Sequence, residues 1–383
     1  MKEKLLCFGS YVLVAVLATL ATLTVVHLEI CLKPDKLDQL EEMIEERFIG
    51  EADPADLEDA AADAMVKATG DRWSYYLSAE EYKAYQEKSE NVYVGVGMTI
   101  QATEDQRGFL ILEVAAGGPA EEAGIQAQDF LIAVEDADVR EMDMNEVRSL
   151  VKGEENTYVK LTVLRQGENR TMSVQRRKVQ TPVATYEMLD GNVGLITIEN
   201  FDDRCARESI AAIEALLEEG AEKLVFDVRW NPGGYASELV ELLDYLLPEG
   251  DLFRTVRYDG REHVDTSDAE CLEIPMAVLV NESSYSAAEF FAAALQEYGA
   301  GVVVGEKTVG KGYFQTTYRL SDGSAVSLSI GKYFTPKGVS LAETGVTPDE
   351  IVTVDEETAA GIYYGTLERG EDPQLQAAIN MLK

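Results

Sequence analysis

Three times in the second half of the chain a short apolar run passes through a turn into an amphipathic helix. The runs are "VGLITIENF" before "ARESIAAIEALLEEG", "KLVFDVRW" before "YASELVELLDYLL", and "PMAVLVN" before "AAEFFAAALQEY". A strand that is apolar on both of its alternating faces must be covered on both sides. Open antiparallel sheets leave one face wet, so such strands belong in a parallel sheet flanked by helices. Further β-rich runs, "GAGVVVGE", "GYFQTTYRL" and "AVSLSIGKYFTP", extend the set. The expectation is an α/β core with a mostly parallel sheet from about residue 180 to 352.

Upstream the texture differs. Residues 33–90 are acidic and read as helical, with Asp53 as an N-cap before Pro54 and Ser78 as a second cap. From Asn91 to Lys178 short alternating strands surround two small helices, "PAEEAGI" and "MNEVRSLVKG", and end in a hairpin around "QGEN". This order resembles a PDZ domain. The resemblance implies that the Gly95-Val96-Gly97 loop offers backbone N–H groups to a peptide carboxylate, while the peptide adds a strand to the sheet edge. The residue-level alternative for Gly-Val-Gly is a β-bulge.

At the N-terminus, Leu5 to Leu28 carries no Asp, Glu, Lys or Arg, and Lys2 and Lys4 precede it. That length spans a hydrocarbon core of about 30 Å as a helix. The flanking lysines orient residues 1–4 toward the cytoplasm. No small-x-small cleavage site is evident, so the reading is an uncleaved single-pass anchor in the cell membrane, with the catalytic part extracytoplasmic. Cys7 and Cys31 flank this segment and would lie on opposite sides of the membrane. Cys205 and Cys271 are spaced for neither a CxxC metal site nor a redox motif. The chain carries 70 acidic against 33 basic residues, a net charge of −37. A surface of that sign repels phosphate backbones and argues against nucleic acid as a partner.

Two strand-to-helix junctions have the residues for chemistry: Asn231-Pro232-Gly233-Gly234, and Ser283 to Glu289. Helix N-termini present free N–H groups to a developing oxyanion, and paired glycines keep side chains out of the way. Serine needs a base, and the chain has only 2 histidines. His27 lies in the apolar segment, and His263 sits in the polar, loop-like "DGREHVDTSD". A lysine kept neutral by burial is the other base available to serine. Lys311, between Gly310 and Gly312 and beside Val309, Tyr313 and Phe314, fits that need. Gln315, four residues on, would share its face if the segment were a regular strand. "GEKTVGKG" is not a phosphate loop, because Gly312 stands where the magnesium-binding hydroxyl belongs.

Taken together, Asp227 to Gly234 ("DVRWNPGG"), Ser284 to Glu289 ("SYSAAE"), Thr308 to Gln315 ("TVGKGYFQ") and "YFTPKGVSLAETGVTPDEIV" resemble the carboxy-terminal processing peptidases, or tail-specific proteases. The resemblance covers roughly residues 55–352. It implies a crotonase-like α/β protease core (180–352) behind the β-rich PDZ domain (91–178), with a helical C-terminal region (353–383). It implies Ser286 as nucleophile, Lys311 as general base and Gln315 as its positioner. Ala287 N–H supplies one oxyanion donor and either Gly233 or Gly234 the other. Protein substrates with free C-terminal tails are the implied partners, with tail binding gating a resting site and no metal or nucleotide cofactor. Tyr285 and Ala288 depart from the family's small residues, Trp230 from a polar one, and Gln128 and Ala137 from PDZ turn glycines. A catalytically inactive, membrane-tethered peptide-binding scaffold and an acyl-CoA enzyme of crotonase type are the competing expectations. The C-terminal "EDPQLQAAINMLK" is a candidate element for self-association.

Overall fold

The computed structural model describes residues 35–103 and 107–382, with Val16, Thr19 and Thr22. The expected membrane anchor at residues 5–28, with Cys7 and Cys31, lies outside the described residues. Among the described residues no helix is long and apolar enough to cross a membrane. The chain divides into two compact units, Met1–Tyr76 and Leu77–Lys383. The first holds α1 (Lys36–Arg47) and α2 (Pro54–Lys67). As expected, Asp53 caps α2, its carboxylate accepting from Ala55 N at 3.0 Å. A short strand β1 (Tyr75–Leu77) follows.

The second unit begins with α3 (Ala79–Ser89), whose Ser78 and Glu81 form a reciprocal capping box. Next come β2 (Val92–Gly95), β3 (Met98–Ala102), β4 (Phe109–Val114), α4 (Pro119–Glu122), β5 (Phe130–Val134), β6 (Ala137–Asp138), α5 (Met144–Val151), β7 (Tyr158–Arg165), β8 (Glu168–Gln175) and β9 (Arg177–Gln180). Strands order as β3-β4-β5-β7-β8, while β2 pairs with β9 in a separate ribbon. Val96, Ile111, Leu131, Val147, Leu161 and Val163 fill a core of their own. Gln128, where the resembled turn carries glycine, keeps the turn by adopting φ 71°, and the neighbouring Asp129 is clamped by Arg165 at 2.6 Å.

The remaining chain supplies β10 (Ala184–Leu189), β11 (Val193–Ile198), α6 (Cys205–Glu218), β12 (Lys223–Asp227), α7 (Ala236–Leu246), β13 (Gly250–Arg257), β14 (Glu262–Ser267), β15 (Met276–Val280), α8 (Ala287–Tyr298), β16 (Gly301–Gly305), β17 (Tyr313–Arg319), β18 (Ala325–Phe334), β19 (Glu350–Ile351), α9 (Glu356–Tyr363) and α10 (Pro373–Met381). The main sheet runs β10-β11-β12-β15-β16-β19. Only β10 is antiparallel to its neighbour. The double coverage inferred from the apolar runs is present. Ile196, Phe226, Val278 and Val303 face α6, α7 and α8. Their alternates Leu195, Val225, Ala277, Leu279 and Val304 face Leu375, Ala378 and Leu382. The apolar face of α10 is thus turned onto this chain's own sheet.

A second sheet pairs β14 with β13, β13 with β18, and β18 with β17, all antiparallel. It corrects the loop reading of "DGREHVDTSD". That segment is a polar edge strand, and His263 lies exposed on it, 3.0 Å from Asp265. Cys205 and Cys271 are both free thiols.

Candidate active site

Parallel strands β12, β15 and β16 are neighbours in the sheet, and each runs out at its carboxyl end into one of the three motifs. Those ends are where open α/β sheets place their ligands. Strand β12 leads to Asn231–Gly234 and α7, β15 leads to Ser284–Glu289 and α8, and β16 leads to Thr308–Gly312.

The turn at Ser286 is strained. Its backbone takes φ 60°, ψ −126°, a region that side-chain-bearing residues rarely occupy. Surrounding bonds hold it there. Ser284 is buried, and its hydroxyl donates to Val228 O at 2.7 Å and accepts from Asn281 N at 3.0 Å. Tyr285 N donates to Asn231 O at 3.1 Å. Ser286 N donates to Glu289 Oε2 at 3.0 Å. The Ser286 hydroxyl oxygen lies 3.0 Å from the Tyr333 hydroxyl.

Glu289 is fully buried in the first turn of α8, and it joins two motifs that are separate in sequence. Besides Ser286 N, its carboxylate accepts from Gly310 N at 2.7 Å, Lys311 N at 2.9 Å and the Thr308 hydroxyl. Thr308 accepts in turn from Val346 N at 2.8 Å. Burial pushes the Glu289 carboxyl above its ordinary range, and the hydrogen bonds from Thr308, Lys311, Gly310 and Ser286 pull it back part of the way. The turn after β16 is fastened to the Ser286 turn again by Val309 N, which donates to Ser284 O at 3.2 Å. Gly310 takes φ 85°, and a Cβ at Gly312 would lie 2.5 Å from Ala342 N, so neither position admits a side chain. Lys311 Nζ stands 5.7 Å from the centroid of the Tyr285 ring.

Lys311 precedes β17, and the strand register shifts between Phe314 and Gln315. The Gln315 amide nitrogen donates to Tyr313 O at 3.1 Å and Ser329 Oγ at 2.9 Å.

The glycine junction packs directly on the serine junction. A Cβ on Gly233 would fall 2.6 Å from Ser286 Cβ and 2.7 Å from Ala287 N. Asn231, also buried, holds this loop from inside. Its Nδ2 donates to Ile198 O at 2.7 Å and its Oδ1 accepts from Gly233 N at 2.8 Å. Of the two glycines, Gly233 therefore has its N–H already engaged. Gly234, at φ 157°, bridges to Phe201, whose carbonyl carbon a Cβ would meet at 2.2 Å. Behind the loop, Arg229 is buried between Asp227 and Asp372, with Gln374 Oε1 accepting at 2.9 Å. Burial alone would lower the Arg229 pKa, but the two carboxylates outweigh it and raise it. Trp230 takes φ 58° and turns its ring edge-on to Tyr363 at 5.4 Å.

In the PDZ-like region, Gly95 ends β2, and Val96 and Gly97 join it to β3. Val96 is buried, Gly97 takes φ 74°, and the carbonyls of Val96 and Gly97 accept from Ala120 N at 2.8 Å and Ala115 N at 3.0 Å. The next strand, β3, is an edge that among the described residues pairs only with β4. Sequence reasoning missed Tyr333, the acceptor role of Glu289 and the Arg229–Asp372 clamp. One signal was present for Glu289, since Ser286-x-x-Glu289 has capping-box spacing.

The profile of peptidase family S41 matches residues 192–352, and a PDZ profile matches residues 110–165. The carboxy-terminal processing protease CtpA of Bacillus subtilis (strain 168) is 33% identical over 319 residues, covering 82% of this chain and 68% of the relative. The chain belongs to peptidase family S41. Another S41-type relative, a CtpA-like serine protease of Staphylococcus aureus (strain COL), is 33% identical over 325 residues. The alignment takes in 84% of this chain, which spans 64% of that relative's length. The solved S41 protease from Bacteroides fragilis NCTC 9343 shares the fold, with a TM-score of 0.53 at 18% identity over 91% of this chain and 97% of that one.

Proposed function

We propose that this S41 chain is a serine endopeptidase that cleaves protein substrates at or near their C-terminal tails. One observation carries the reading: a single buried carboxylate, Glu289, accepts the N–H groups of both Ser286 and Lys311 and so holds nucleophile and base turns side by side. In this reading neutral Lys311 takes the Ser286 proton as the hydroxyl attacks a peptide carbonyl. Gln315 steadies the segment that carries the lysine. Ala287 N–H and the glycine loop face the oxyanion, with Gly234 favoured because Gly233 N is bound to Asn231. An acyl-enzyme forms, and water releases it. The core is related to the crotonase fold, and the Gly95-Val96-Gly97 loop with edge strand β3 receives the substrate tail and gates the site. The apolar run at residues 5–28 anchors the protein in the membrane, with the protease on the extracytoplasmic side.

The test is incubation of the full-length protein with an unfolded protein bearing an apolar C-terminal tail, beside Ser286→Ala and Lys311→Ala. Cleavage by the wild type and its loss in both variants is the expected result. Cleavage surviving both substitutions would place the active site elsewhere.

A further inference from the structure

Tyr333 opens "YFTPKGVSLAETGVTPDEIV", the last of the motifs that carry the family resemblance, but the resemblance gives it no role, and it touches both halves of the site. It sits in β18, 4% exposed. Its backbone N–H donates to Gly312 O at 3.3 Å, the residue after Lys311. Its hydroxyl lies 3.0 Å from Ser286 Oγ. An aromatic enclosure fixes the ring: Phe290 at 4.4 Å between centroids and near-perpendicular, Phe253 at 5.4 Å and Phe314 at 6.2 Å. Few side-chain rotations are open to a phenol held this way, so the direction of its hydroxyl is set by packing.

A serine oxygen has one hydrogen to donate and two lone pairs to accept with. If Ser286 donated to Tyr333, its proton would point away from any other base. If Tyr333 donates, one lone pair of Ser286 is engaged and the serine hydrogen is left for Lys311. Burial pushes the Tyr333 phenol well above its ordinary pKa, so it stays a protonated donor wherever the enzyme works.

We propose that Tyr333 is a further catalytic residue of this site, its O–H donating to Ser286 Oγ and stabilising that oxygen as it becomes anionic. This rests on the Ser286/Lys311 reading above. In acylation the Oγ–H bond breaks, its proton passes to Lys311 Nζ and Oγ bonds to the substrate carbonyl carbon; the C–N bond then breaks and Lys311 gives that proton to the leaving amine. In deacylation Lys311 takes a proton from water as the water oxygen bonds to the acyl carbon; the Oγ–C bond then breaks and the oxygen leaves as an incipient alkoxide, which is reprotonated from Lys311. Tyr333 keeps its own proton throughout. Its hydrogen bond is neutral in the resting enzyme and charge-assisted whenever Oγ bears negative charge, so it strengthens where the barrier lies.

The test uses full-length protein, steady-state cleavage of a tailed unfolded substrate, and the rate of labelling by a fluorophosphonate, which reports nucleophile reactivity directly. Tyr333→Phe removes the hydroxyl and keeps the ring. Its kcat is expected to fall about a hundredfold to a thousandfold, as when one donor to a developing oxyanion is lost. KM should stay near the wild-type value. The labelling rate should fall by a similar factor, while the final labelled fraction and the melting midpoint match wild type. A structural role would instead lower the labelled fraction and midpoint and leave the rate constant of the labelled molecules unchanged, which overturns the proposal. A faster Tyr333→Phe enzyme also overturns it, by making the tyrosine a brake. Replacing Tyr333 with 3,5-difluorotyrosine keeps the shape and strengthens the donor. The labelling rate should then rise, and an unchanged rate counts against the proposal even if the phenylalanine variant unfolds. Ser286→Ala runs in parallel: if it still cleaves, the serine-protease reading itself fails, whatever Tyr333→Phe does.

Discussion

The two junctions that meet at this site solve the same problem in opposite ways. Both lead from a buried parallel strand into a helix, and both need backbone shapes that ordinary residues avoid. The junction after β12 uses glycines at φ 85° and 157° and steadies them with a neutral side chain, Asn231. The junction after β15 puts a hydroxyl-bearing residue in its strained position. It keeps Ser286 at φ 60° and holds it with a fully buried carboxylate. At Gly233 and Gly234 strain is avoided by deleting the side chain; at Ser286 the side chain is kept and a buried carboxylate holds the turn.

Removing that charge has the largest expected effect. Glu289→Gln puts a donor among four donors, and Glu289→Ala leaves them without an acceptor. Either variant should lose cleavage and on the order of 4 kcal/mol of stability, read by denaturant unfolding. Wild-type unfolding and activity in Glu289→Gln would end the contrast between the junctions. Next is Gly233→Ala. The added methyl meets Ser286 Cβ and Ala287 N, so activity should drop about a hundredfold through displacement of the nucleophile. An active Gly233→Ala would mean the two loops are not in register.

Asn231→Ala should cost about 2 kcal/mol, because Gly233 N and Ile198 O lose their partner inside the protein. That smaller loss measures what a neutral staple contributes against a charged one. Ser286→Gly should abolish cleavage and raise stability by about 1 kcal/mol as the strain is relieved. Gln128→Gly, at φ 71° in the PDZ-like turn, should raise it comparably with cleavage intact. Equal gains at both positions would show that the strain at Ser286 is ordinary backbone strain and not a property of the site.

The smallest effect concerns Asp202, behind the glycine junction. Burial lifts its pKa to about 6, helped by Glu238 and opposed by Lys88. A carboxyl raised above its unfolded value of about 3.9 costs nothing while protonated, and its penalty grows as pH rises through that window to about 6. Asp202→Asn should therefore match wild-type stability near pH 4 and exceed it near pH 8, as thermal melts can show. A gain at pH 4 would point to packing and not to charge.

Much of this architecture was readable before any coordinates. Apolar runs without polar alternation announced the doubly covered sheet, and the serine and lysine turns could be named by residue. What escaped has identifiable causes. Residues 262–267 look like loop because a polar edge strand buries little, and nothing local betrays its pairing with β13. Tyr333 looks like one more aromatic in an alternating strand. Its value lies in where its hydroxyl ends, which depends on the enclosure by Phe253, Phe290 and Phe314. The register shift at Gln315 breaks a two-residue periodicity that sequence reading takes for granted. The partner of Arg229 lies at Asp372, where no periodicity reaches.

That last link bears on when such an enzyme comes alive. Arg229 lies two residues before Asn231, and Asp372 caps α10. Until Asp372 and Gln374 have folded back onto the core, the guanidinium beneath the glycine loop lacks half its acceptors, a deficit of several kcal/mol. A molecule truncated before Asp372 should neither label with a fluorophosphonate nor cleave. Assembly of the glycine loop is thereby tied to a residue 143 positions further along the chain.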